Sequence, residues 1–148
     1  HYVSEGRLKR RLRVLDHISI YFLIAGTYSP VVLTLLKNSH GELLFYAVWS
    51  IAALGTILKL FFTGKFEKIS LLLYLLMGWL IIFDIFAVIE NFSEAELSML
   101  ILGGIFYTFG IYFYVKTSIS FNHVIWHVFV MLGSFSHFLM IYFSVAES

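Results

Sequence analysis

Cysteine is absent from this chain, which excludes disulfides and thiolate metal ligands together. Any metal would have to be held by histidine, aspartate or glutamate. Proline occurs once, at Pro30, and charge is scarce. Only 13% of the residues are Asp, Glu, Lys or Arg, against about 25% in soluble domains. A secretory leader is not expected, because residues 1–13 are polar and basic rather than apolar. The chain opens on His1 inside that polar segment, which reads as a piece cut from a longer protein. What fills the sequence instead is apolar surface. Hydrophobic residues make up 60% of it and aromatic residues 19%, with a mean hydropathy of +0.90. That balance excludes disorder and places the chain among helical membrane proteins.

Five apolar runs follow the basic segment, at about 15–36, 43–62, 69–89, 97–115 and 123–145, each near the ~20 residues that cross hydrocarbon. The reading is an all-α polytopic membrane protein of five transmembrane helices, one membrane domain over residues 1–148. The links between runs are short, so consecutive spans should be antiparallel neighbours. Their charges set the orientation. Arg7, Lys9, Arg10, Arg11 and Arg13 fall on one side with Lys65, Lys68 and Lys116. Only Lys37 falls on the other, beside the acidic Glu90, Glu94 and Glu96. The first side is therefore expected to be cytoplasmic and the carboxyl terminus extracellular. Residues 1–14 read as a cytoplasmic basic loop facing membrane lipids, with no nucleic-acid partner. Lys59, near the inner end of its span, is expected to snorkel.

Within the first span, Gly26-Thr27-Tyr28-Ser29-Pro30 predicts a kink whose freed carbonyls Thr and Ser can bond. Gly55, Gly78, Gly103, Gly104, Gly110 and Gly133 are expected to let helices approach closely. The tryptophans, Trp49, Trp79 and Trp126, read as core or interface anchors.

Ionisable side chains inside spans are costly and each needs a reason. His123 and His127 lie four residues apart at the head of the last run, hence on one helix face and about 6 Å apart. The charge-derived topology brings Asp16, His17 and His1 to the same depth. Three imidazoles with an open position are the usual plan of a catalytic zinc site, so His1, His123 and His127 are the candidate ligands of Zn2+. Asp16 is the candidate catalytic group, able to orient a ligand or accept a proton from water. Its structural alternative is a helix N-cap. His17 points about 100° from Asp16 and is expected to be packed. His137 lies about 15 Å deeper than His127, a core histidine. Asp84 falls near the outer face as a polar contact between helices, and His40 in an outer loop as a solvated residue.

Several of these segments resemble the hemolysin III proteins: Leu15-Asp16-His17-Ile18-Ser19-Ile20-Tyr21, Ile24-Ala25-Gly26-Thr27-Tyr28-Ser29-Pro30, Leu76-Met77-Gly78-Trp79-Leu80, Gly103-Gly104-Ile105-Phe106-Tyr107, and His123-Val124-Ile125-Trp126-His127. The resemblance covers nearly the whole chain in order. It is closer to the bacterial proteins than to their relatives, the progestin and adiponectin receptors. It implies a seven-helix fold of which this chain carries the last five, with an intracellular amino terminus. It also implies zinc held at the positions of His1, His123 and His127, with Asp16 beside the reacting water.

Three functions follow as expectations for a bacterial plasma-membrane protein. One is a zinc-dependent, ceramidase-like hydrolase of a lipid amide or ester. The alternatives are a pore-forming hemolysin that lyses cells, and a receptor or sensor whose zinc is structural. No span shows the repeated polar positions of a water-lined pore.

Overall fold

The computed structural model describes residues 2–62 and 67–146, with side chains described over 6–62 and 68–144. All regular structure among the described residues is helical: α1 (Tyr2–Thr34), α2 (Gly41–Phe62), α3 (Glu67–Trp79), a 3-10 turn (Leu80–Asp84), α4 (Ile85–Asn91), α5 (Glu94–Val115) and α6 (Asn122–Ala146). Five stretches are long and apolar enough to cross a membrane, α3, the 3-10 turn and α4 making one of them together. The expected all-α polytopic membrane architecture is what the chain adopts. Large apolar side chains such as Phe61, Phe83, Phe86 and Phe135 are exposed, as a surface solvated by lipid requires.

Three boundaries differ from the sequence expectation. Residues 2–14 are helix rather than loop, the first turns of α1. Arg, Lys and Leu fill them, and all three are strong helix formers. Asp16 therefore lies inside a helix, which removes its N-cap reading. α5 begins at Glu94 because Ser93 and Glu96 close a reciprocal capping box. The Ser93 amide donates to Glu96 Oε2 at 2.7 Å, and the Glu96 amide donates to Ser93 Oγ.

The third span is broken rather than continuous. Its 3-10 turn leaves backbone groups that lipid cannot satisfy, and Tyr28 of α1 meets them. The Tyr28 hydroxyl donates to the Gly78 carbonyl at 2.9 Å and accepts from the Ile81 amide at 3.0 Å. At the end of the same turn, Asp84 is buried. It accepts from Ser39 Oγ at 2.8 Å and from the His40 amide at 3.0 Å, with His40 Nδ1 at 3.2 Å. Asp84 is thus the expected contact between elements. His40, expected to be merely solvated, is half of that clasp.

α5 and α6 form the most extensive helix pair, followed by α1 and α2. α1 also meets α3 and α6, so the first and last described helices touch. Small residues permit this in part: Tyr21 fills the space a side chain on Gly55 would need, His137 that of Gly103, and Tyr107 that of Gly133. Gly78 and Gly104, expected to do the same, have nothing within 4 Å of an added Cβ. Lys59 is buried at the α2 end rather than reaching outward as a snorkelling side chain. α1 runs through Pro30, and just before it Ser29 Oγ donates to the Ala25 carbonyl at 2.8 Å.

Candidate metal centre

At the end of the bundle that carries the basic residues, α1 passes beside the first turns of α6. Helical spacing sets His123 and His127 one turn apart, and their Nε2 atoms converge to 3.1 Å. Asp16 approaches from α1. Its Oδ1 lies 3.4 Å from His127 Nε2 and its Oδ2 lies 3.7 Å from His123 Nε2. Donors bound at zinc's usual 2.0–2.2 Å at tetrahedral angles stand about 3.3–3.6 Å apart. The two imidazole Nε2 atoms stand 3.1 Å apart and each meets a different oxygen of Asp16, so the group lies near that spacing, with one ligand atom from each residue all within 4.8 Å of one another. The group is the one cluster of potential ligands found among the described residues.

Neighbouring rings hold the imidazoles in place. Trp126 is buried and packs 4.6 Å from His127 and 5.2 Å from His123. Tyr114 of α5 lies 4.7 Å from Trp126 and 6.0 Å from His123. The link between α5 and α6 is pinned where it matters for this register. Asn122 Nδ2 donates to the Tyr114 carbonyl at 3.2 Å, and Phe121 takes a left-handed conformation (φ 58°) just before the helix starts.

His17, next to Asp16, is not part of the donor set. It is 2% exposed, and both ring nitrogens are engaged. Nδ1 lies 2.8 Å from the Arg13 carbonyl, which can only accept, so Nδ1 carries the proton. Nε2 then accepts from the Tyr114 hydroxyl at 3.3 Å. The packed role expected for His17 is the one it has. His137 is likewise a core residue, hydrogen-bonded to the Leu100 backbone and set edge-on to Tyr107 at 5.4 Å. His1, the expected third imidazole, lies outside the described residues. Tyr114 is the residue of this site that sequence reasoning missed. It is one of nine tyrosines, and nothing local sets it apart. Its role comes from a contact with His17, distant in the chain.

A cavity of about 670 Å³ opens over the cluster between α1, α3, α5 and α6. Asp16, His123 and His127 form part of its wall, at 26%, 52% and 37% side-chain exposure. A molecule entering from that end reaches all three. The arrangement therefore sets three potential metal ligands in the wall of one cavity.

Residues 1–138 match the family described as haemolysin-III related. The chain is 42% identical over 143 residues to the Hemolysin-3 homolog of Bacillus subtilis (strain 168), covering 97% of this chain and 67% of the relative. It is 41% identical over 145 residues to Hemolysin-3 of Bacillus cereus, covering 98% of this chain and 66% of the relative. The human Monocyte to macrophage differentiation factor is 29% identical over 143 residues, covering 90% of this chain and 58% of that protein. The chain thus spans about two thirds of the length of the bacterial relatives. No solved structure matches.

Proposed function

This chain belongs to the haemolysin-III-related family, and on that premise we propose that it is a zinc-dependent membrane hydrolase acting on a lipid amide or ester. The observation that carries this reading is the convergence of Asp16, His123 and His127 from two different helices, with one ligand atom from each within 4.8 Å of the others. His123 and His127 would hold the zinc, with His1 as the third imidazole. Zinc in such a site polarises a carbonyl and brings the pKa of water to ~7. Asp16 is placed to take a proton from the attacking water and return it to the leaving amine or alcohol. Trp126 and Tyr114 pack against the imidazole rings and fix them. The basic loops support a location in the bacterial plasma membrane with this site at the cytoplasmic end and the carboxyl terminus outside.

A second reading is lysis, carried by the name Hemolysin-3 of the Bacillus cereus relative. It competes poorly, because the faces of α5 and α6 turned away from the bundle are apolar, with Ile101, Phe109, Met131 and Phe135 exposed, whereas a pore needs a polar lining. A receptor with structural zinc is the third. One experiment separates them: metal analysis of purified protein alongside turnover of a fluorescent lipid amide, with and without a chelator. Bound zinc and chelator-sensitive turnover support the hydrolase. Bound zinc without turnover of any lipid amide or ester supports the structural role, and zinc-independent dye leakage from liposomes supports the pore.

A further inference from the structure

The basic segment at the start of α1 has two faces, and they look at different things. Lys9, Arg13 and Asp16 fall within about 60° of arc on the helix and line the cavity over the metal cluster. Arg7 and Arg11 fall on the opposite side, with Arg10 between the two faces, and all three line a separate hollow with Val14, Leu15 and Leu60. A general preference for basic residues at one membrane face explains the count of cations. It does not explain why a third cation reaches the first cavity from another helix. Lys68, at the head of α3, lines it too. Among the described residues that line this cavity, Asp16 is the one carboxylate, and it is directed at the two imidazoles. Lys9, Arg13 and Lys68 thus outnumber the single carboxylate among the described residues that line the cavity.

The walls between the cations are apolar. Leu12 of α1 and Leu71 of α3 lie beside them in the same cavity. Cations above, alkyl surface between and a metal-ligating floor suit an amphiphile whose head is anionic. Arg13 can grip two phosphate oxygens at once, and the two lysines add point charges.

We infer that the cavity over the Asp16–His123–His127 cluster is a phosphate-headgroup site, in which Lys9, Arg13 and Lys68 select an anionic phospholipid. This rests on the proposed function only in taking the cavity as the way in to that site, and it names the substrate class: lipids bearing a phosphate on the head, rather than neutral ones. Lys9, Arg13 and Lys68 are binding residues in this account. They take no part in bond cleavage.

The test is lipid binding by the full chain in detergent micelles, read by native mass spectrometry with dioleoyl phosphatidic acid and dioleoyl phosphatidylcholine, with zinc content measured on the same samples. Wild-type protein is expected to retain phosphatidic acid over phosphatidylcholine. Lys9→Gln, Arg13→Gln and Lys68→Gln should each weaken phosphatidic acid binding about fivefold. The double variant Arg7→Gln/Arg11→Gln, which removes two charges from the opposite face, should leave it unchanged. Equal weakening by that double variant, or no preference between the lipids, would overturn the inference, because either would reduce the cations to general surface charge. Thermal melting in the same detergent identifies any variant that fails to fold, and Lys9 and Lys68, being on separate helices, give two independent chances to see the effect. Competition by glycerol 3-phosphate would assign the phosphate to a soluble ligand, and its failure to compete assigns it to the membrane lipid. The two readings can fail separately. Zinc absent with the lipid preference intact would remove the hydrolase and keep the headgroup site. Zinc bound with no lipid preference would do the reverse.

Discussion

Asp16 Oδ1 lies 3.4 Å from His127 Nε2, although the two residues stand on the first and last described helices. Their partners in the same cluster make the contact more than a surface ion pair. His127 Nε2 is also 3.1 Å from His123 Nε2, and the same carboxylate reaches both rings. Three acceptor-capable atoms facing one point repel one another unless a proton or a cation sits between them. A divalent ion is one way to meet that need.

Metal content follows first. Purified protein is expected to carry about one zinc per chain, as a single cluster of three ligands with an open position implies. His123→Ala and His127→Ala should each abolish it, as measured by inductively coupled plasma mass spectrometry. Acidification should release the ion, because a protonated imidazole has no lone pair to offer. Zinc that persists in both variants would place the site elsewhere.

Asp16→Asn tests the role of the carboxylate. The amide keeps the shape and loses the basicity. Turnover of a lipid amide is expected to fall by about 10²–10⁴-fold, while zinc content stays at the wild-type value. If zinc is lost along with turnover, Asp16 is a ligand rather than the proton acceptor.

Tyr28→Phe removes the one hydroxyl that serves both the Gly78 carbonyl and the Ile81 amide. Those groups are then unpaired at a buried break in the third span, at a cost of about 1–3 kcal/mol. A lower melting temperature in detergent is the expected result. Tyr142→Phe, at an exposed ring, should leave it unchanged.

Gly103 and Gly104 are neighbours with opposite demands. A methyl group on Gly103 runs into the His137 ring, whereas one on Gly104 meets nothing within 4 Å. Gly103→Ala should therefore destabilise the α5–α6 pair by about 1–3 kcal/mol. Gly104→Ala should be neutral or stabilise by up to about 1 kcal/mol through helix propensity. Thermal unfolding of the two variants side by side checks both signs, and equal effects would contradict the packing described.

Much of the architecture was legible in composition, because hydropathy over a span is a property of consecutive residues. The expected ends of α2, α5 and α6 fall within a few residues of the observed ones. The expected first span stops short of the observed one because a hydropathy window sees charge and not helix propensity, and Arg-Leu-Lys-Arg-Arg-Leu-Arg is polar yet helical. The 3-10 break in the third span left no trace in the apolar run 69–89. The hydroxyl that meets its freed backbone groups sits on another helix, and no local pattern encodes that.

Asp16, His123 and His127, which converge at one end of the bundle, could be singled out from the sequence because an ionisable group is rare in an apolar run and must be accounted for. The i,i+4 spacing of the histidines and the depth of Asp16 are one-dimensional facts. Which of the polar residues at that depth meet was decided by the tertiary structure alone. Asp16 and His17 are adjacent in the chain, yet one turns to the imidazoles and the other is sealed between the Arg13 carbonyl and Tyr114. The same rotation sorts the basic residues of α1 between two cavities. Rotation of a helix about its axis is set by packing against its neighbours, at energies summed over many distant contacts. The sequence by itself therefore determined how many spans there are and which polar groups fall at the same end of them, and the packing of α1 against α3 and α6 determined which of those groups face one another.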